Sequence, residues 1–331
     1  MQRRQLLKLS GQSLAAVIAA HLPMAHVLAQ VHSPIGATGV HNRPPLTAAQ
    51  WQAERQWRRT RFGEIAHVER GGGAAALFLH GFPLNGYQWR GALERLASVR
   101  RCLAPDLLGL GYTRVAPGQS VAPAAQAEML AEWLDGLHID TVDLVANDSG
   151  GAVAQLFAVR YPQRVRSLLL TNCDTEIDCP PPALQPVIDL ARQGQFVAQW
   201  LAPWLADPQL ARSPQGLGGM TFTYPQHPDD DTLAMYLRPL VEHADRTHAY
   251  ALGLDGNVLA GVEASLRRSR IPTRIVWGTG DTIFTARAPD YLHGVLGQSR
   301  GVRRVEGARL FWPEEFPEVI AEEARTLWQA S

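Results

Sequence analysis

The sequence has no excess of charge of either sign: 31 basic and 31 acidic side chains cancel. A neutral chain offers no electrostatic case for nucleic acid or an anionic membrane surface as partner. Cysteine is scarce as well. Cys102, Cys173 and Cys179 are odd in number and widely spaced, which argues against a disulfide framework and against a zinc site. Cys102 lies in an apolar run and reads as a small buried hydrophobe, so a Cys173–Cys179 bond is the one pairing left open. There is no Gly-rich phosphate loop and no His/Cys ligand cluster, so no metal, nucleotide or flavin cofactor is expected. Internal repeats and low-complexity tracts are absent too. What remains as partner is a small-molecule substrate, and no residue pattern sets an oligomeric state.

The N-terminus differs from the rest. Arg3-Arg4 precedes a weakly apolar run from Leu14 to Leu22, and Val27-Leu28-Ala29 places small residues before Gln30. Together these resemble a Tat export signal. The apolar run is too short for a membrane span, which needs roughly 20 residues. Residues 1–29 are therefore expected to be a signal peptide, and the mature protein to be periplasmic or otherwise exported, with no membrane span. Residues 30–56, Pro-rich and then mildly helical, read as an N-terminal arm.

From Trp57 onward the chain alternates. Apolar or alternating runs predict strands over Arg58–Phe62, Glu64–Val68, Ala75–Leu79, Arg101–Pro105, from Val142, and over Ser167–Thr171. Helical periodicity lies between them, over Trp89–Val99, Ala124–Leu137 and a segment that stops at Arg160 before Tyr161-Pro162. The pattern resumes with strands at Thr273–Trp277 and Gly301–Glu306, a helix near Pro289–Val295 and a closing amphipathic helix, Glu318–Trp328. Such alternation implies an α/β fold with a doubly wound, mostly parallel sheet. Residues 175–268 break it, with Pro180-Pro181-Pro182, several aromatics and no clear strand. They read as an inserted helical cap that divides the core into residues 57–174 and 269–331.

The stretch from Val142 to Ala152 carries the chemistry. A buried run ends in Asn147-Asp148-Ser149-Gly150-Gly151, and a small-residue helix follows. Ala146 and Gly150 flank Asp148 at two positions on each side, the spacing of a nucleophile elbow, where a tight turn projects one side chain above the sheet. Ser149 fits the same turn in a shifted register, with Asn147 and Gly151 as its flanks.

Three landmarks in order carry a family resemblance: His80-Gly81-Phe82-Pro83, the elbow, and Trp277-Gly278-Thr279-Gly280-Asp281 after a late strand. With a helical insertion before the third, the chain resembles the α/β-hydrolase superfamily over nearly its whole length. Within it the likeness is to the aspartate-nucleophile haloalkane dehalogenases and epoxide hydrolases. The family pattern puts two glycines after the residue that follows the nucleophile, which selects Asp148 over Ser149.

The resemblance implies that Asp148 attacks an electrophilic carbon to form a covalent ester. The N–H groups of Phe82 and Ser149 would form the oxyanion hole. Asp281 would be the acid that orients a histidine, with Asp174 second in line for that role. His80, Gly81, Asn147 and Gly150 would support the site, His80 as a hydrogen-bonded structural histidine.

The chain departs from the family at the last member. Gly307-Ala308-Arg309-Leu310-Phe311 puts Leu310 where the histidine belongs. The usual halide-binding Asn and Trp are replaced by Phe82 and Ser149, while Tyr224, Tyr236 and Tyr250 are available in the cap to assist epoxide opening. Cap histidines His227, His243 and His248, and His293 after Asp281, are the candidates to replace the missing imidazole.

The expectation is an exported hydrolase of the haloalkane dehalogenase or epoxide hydrolase type, acting on a small apolar substrate. Two alternatives stand beside it: acid–base chemistry of lyase or isomerase kind without a covalent intermediate, and a binding protein without turnover.

Overall fold

The computed structural model describes residues 44–329. The expected signal peptide and the first part of the expected arm lie outside the described residues. The end of that arm forms α1 (Ala48–Glu54), opened by a capping box in which Thr47 and Gln50 bond reciprocally.

Among the described residues the sheet has nine strands: β1 (Gln56–Thr60), β2 (Gly63–Arg70), β3 (Ala75–Leu79), β4 (Arg101–Pro105), β5 (Arg114–Val115), β6 (Val142–Asp148), β7 (Val165–Cys173), β8 (Thr273–Gly278) and β9 (Ser299–Val305). Their order is β1-β2-β4-β3-β6-β7-β8-β9, with β5 paired to β2. β2 runs antiparallel to its neighbours, and β4 through β9 along that path are parallel. The parallel part reads in the sequence as unbroken apolar runs because helices cover both of its faces. Every residue of β3 and β6 is buried. The α/β class and the mostly parallel sheet match the sequence reading; the short β5 carried no sequence signal.

The crossover helices are α2 (Arg90–Leu96), α3 (Pro123–Gly136) and α4 (Ser149–Arg160). Proline at the first position of α3 suits a site whose N–H has no helical partner.

Between β7 and β8 the described residues form only helices, turns and one isolated bridge, Thr175 with Asp178. The named helices there are α5 (Gln185–Arg192), a π-helical turn at Val197–Leu201, α6 (Ala202–Ala206), α7 (Pro208–Arg212), α8 (Leu217–Thr221), α9 (Asp230–Glu242), α10 (Ala244–Gly253) and α11 (Glu263–Arg268). Glu176 ties the start of this block to its end, accepting from the N–H groups of Gly261 at 2.7 Å and Glu263 at 2.8 Å. α12 (Ala288–Val295), α13 (Trp312–Glu315) and α14 (Pro317–Gln329) complete the chain. No described helix is long and apolar enough to cross a membrane.

Candidate active site

β6 delivers Asp148 to the C-terminal edge of the sheet with φ at +53°. That backbone state is unfavourable for a residue with a Cβ, and it persists only where the surroundings fix it. Two features fix it here. The register of β6 shifts after Ala146, so Asp148 pairs with Cys173 of β7 as the chain leaves the sheet. The following turn then packs without clearance: a Cβ on Gly150 would sit 2.5 Å from the carbonyl oxygen of His80, and one on Gly151 2.3 Å from Cβ of Cys173.

The Asp148 carboxylate is held by the chain around it. Ser149 N–H donates to Oδ1 at 2.6 Å, and Phe82 N–H donates to the same carboxylate. Gly81 comes so close that a Cβ there would lie 2.5 Å from Oδ2. The two donors expected to form an oxyanion hole therefore converge on Asp148 itself. Burial, and then the neighbouring Asp174, push this carboxyl well above the usual carboxylate range, and the two N–H bonds oppose that rise.

Asp148 faces a cavity of about 270 Å³. Its walls are apolar, with Phe82, Phe196, Trp200, Trp204 and Leu310 prominent. Ser149 and Asp174 line it too, and among the described residues no arginine, lysine or histidine does. Asp174 is buried, and burial raises its carboxyl to about 7 against a lowering hydrogen bond from the Cys179 thiol.

Asp281 sits behind this cavity and does not line it. Its Oδ2 accepts from Asn172 Nδ2 at 2.9 Å and its Oδ1 from Ile283 N–H at 2.8 Å, while burial lifts it to about 6. Leu310 turns its side chain to the cavity, and its carbonyl accepts from Asn147 Nδ2 at 3.1 Å. Asn147 also donates to Thr171 Oγ1 at 2.9 Å and accepts from Gln88 Nε2 at 2.7 Å. Trp312 Nε1 donates to Asn172 Oδ1 at 2.9 Å. Asn147 is thus a hub that fixes the loop bearing residue 310. Its partners Gln88 and Asn172 escaped the sequence reading, since a lone amide has no periodicity to mark it.

His80 is fully buried and uses both ring nitrogens: Nδ1 lies 2.9 Å from the Gly81 carbonyl, and Nε2 accepts from Leu107 N–H at 3.0 Å. Those roles fix a neutral ring, and burial lowers its pKa accordingly.

The histidines considered as replacements for the missing imidazole lie elsewhere. His227 stacks on Phe222, His248 accepts from Val197 N–H, and His293 meets Ser299; neither these nor His243 lines the cavity. The tyrosines of residues 175–268 expected to assist epoxide opening lie elsewhere than the cavity wall. Tyr224 is exposed, Tyr236 donates to Glu314 at 2.7 Å, and the Tyr250 hydroxyl is 3.0 Å from Ser149 Oγ. None of the three lines the cavity.

The Cys173–Cys179 pairing is not formed either, and all three cysteines are free. Cys173 packs against Gly151, whereas Cys179 turns its thiol to Asp174.

The sequence model of the family described as "alpha/beta hydrolase fold" matches residues 76–315. A 2-hydroxy-6-oxo-2,4-heptadienoate hydrolase of Pseudomonas putida is 43% identical over 82 residues, 25% of this chain and 30% of that protein. Epoxide hydrolase 2 of Siraitia grosvenorii is 44% identical over 101 residues, 30% of this chain and 32% of that protein. The chain spans about a third of the length of these two curated relatives. The crystal structure of haloalkane dehalogenase DbeA from Bradyrhizobium elkani USDA94 superposes with a TM-score of 0.67 at 23% identity, covering 84% of this chain and 99% of that one. This last is a likeness of fold.

Proposed function

The chain belongs to the α/β-hydrolase fold family, and from that premise we propose an enzyme of the haloalkane dehalogenase or epoxide hydrolase type with Asp148 as its nucleophile. The observation that carries this reading is the Asp148 carboxylate, gripped by the N–H groups of Ser149 and Phe82 at an apolar cavity, on a backbone with φ at +53°. A binding pocket has no use for that strain.

In the reaction, a carboxylate oxygen bonds to the substrate carbon while the carbon–halogen or epoxide carbon–oxygen bond breaks, leaving an alkyl ester on the enzyme. Water then attacks the ester carbonyl, and the two N–H groups hold the charge that develops on its oxygen. The cavity favours a small uncharged substrate, because among the described residues no cation lines it to receive an anion. Leu310 cannot activate water, so ester hydrolysis needs another base. We further propose that residues 175–268 act as the cap over this cavity and that residues 1–29 direct export.

The test is intact mass after incubation with 1-bromobutane. A butyl adduct mapped to Asp148, and missing from Asp148→Asn, is expected; no adduct across neutral to mildly alkaline pH would sink the reading. One observation favours a second reading, acid–base chemistry without an ester: burial favours the protonated form of Asp148, which would make it a proton donor. That reading requires turnover with no adduct and a rate that falls as pH rises.

A further inference from the structure

We propose that Asp174 is the second catalytic residue, a proton carrier in place of the missing imidazole, and that it makes an epoxide the substrate class. This rests on Asp148 as the nucleophile. The topology puts the two carboxyls side by side: Asp148 pairs in the sheet with Cys173, and Asp174 is the next residue along β7's chain. Both line the cavity, and Asp281 does not.

Their surroundings divide the labour. Asp148 receives two backbone N–H bonds and stands at the N-terminus of α4, where a negative charge is favoured. Asp174 has the Cys179 thiol and its own N–H. Two neighbouring buried carboxyls share a proton, and the reactive form is the one with the charge on Asp148, where the two N–H donors and the helix N-terminus receive it, and the proton on Asp174. The other titratable groups that bear on the pair are Asp178, Asp281, Cys173, Cys179 and Tyr250. None of them supplies a positive charge.

A departing halide takes no proton, so Asp174 has nothing to give a haloalkane. A departing epoxide oxygen needs only a proton. As Asp148 bonds to one ring carbon, the carbon–oxygen bond breaks and the oxygen takes the Asp174 proton, giving a hydroxyalkyl ester and an Asp174 carboxylate. That carboxylate then takes a proton from water, and the hydroxide attacks the Asp148 carbonyl carbon. Collapse releases the diol oxygen, which takes up the carboxyl proton as Asp148 returns to carboxylate and Asp174 remains protonated. The cycle closes without a histidine. With an alkyl bromide, bromide leaves without a proton, Asp174 stays protonated and the ester persists.

The experiment pairs 1,2-epoxybutane with 1-bromobutane on the full chain and on Asp174→Asn. Wild type should convert the epoxide to diol and accumulate the butyl ester. Asp174→Asn should lose about 10²–10⁴ in epoxide opening relative to its own rate of butyl ester formation, a split that a merely structural role would not produce. An unchanged epoxide rate in the variant overturns the role of Asp174. Absence of the butyl ester from both proteins overturns Asp148 instead, so the two failures are distinguishable. If the variant does not fold, the wild-type pH profile decides: epoxide opening should fall at alkaline pH as Asp174 loses its proton, and butyl ester formation should not. A parallel fall in both counts against the proposal.

Discussion

Replacing Asp174 with asparagine should stabilise the protein at about pH 8 and leave its stability little changed at about pH 4. Burial raises the folded-state carboxyl from 3.8 to about 7. For an acid raised on folding, the associated stability is fully present below the unfolded value and is lost as pH rises through the folded one. The difference is about three pH units, and at about 1.4 kcal/mol per unit it amounts to about 4 kcal/mol. Asparagine has nearly the same shape and no charge to bury, so the variant should gain up to that amount above about pH 7. Asp281, raised from 3.8 to about 6, pulls in the same direction but is present in both proteins and largely cancels. Urea unfolding followed by far-ultraviolet circular dichroism measures this. With a slope of about 3 kcal/mol per molar urea, the midpoint should rise by about 1 M at the higher pH. An equal change at both pH values, or a loss of stability at the higher one, refutes the reasoning.

Leu310→His should speed hydrolysis of the butyl ester by about 10²–10⁴, read as the decay of adduct mass. The gain should appear above about pH 6, where Asp281 is ionised and can hold the imidazole; an unchanged decay rate means residue 310 is not placed to deliver a base. Glu314→Gln should cost about 3–5 kcal/mol in urea, because it strands the buried Arg90, whose Nη1 is 2.8 Å from Glu314 and whose neighbour Tyr236 donates to the same carboxylate at 2.7 Å. A loss below about 1 kcal/mol would show that the pair is dispensable.

The parallel core was legible because its strands are buried on both faces, so β3 and β6 stand out as unbroken apolar runs. The elbow was legible because two adjacent glycines mark a place where no Cβ fits, and the distances around Gly150 and Gly151 bear out that crowding. Relations across the sheet were not legible. That Asp174 shares a wall with Asp148 follows from a register shift after Ala146, which spacing along the chain does not encode. Asp281 stood out because it follows a Gly-rich motif, but that Asn172 and the Ile283 N–H hold its carboxylate was not marked in the sequence. The places of Tyr224, Tyr236 and Tyr250 were not legible either. Aromatic content announces packing, and only three-dimensional placement separates Trp200, which lines the cavity, from Tyr236, which donates to Glu314 of the Arg90–Glu314 pair.

The bond from Asn147 to the carbonyl of residue 310 grips main chain, which every amino acid presents alike. That anchor is made whichever side chain residue 310 carries. The main-chain anchor at this position is thus separate from the apolar packing of the Leu310 side chain in the core. A fold wired in this way gives a ready starting point for engineering, because a new functional group can be installed at 310 on a backbone that is already in place.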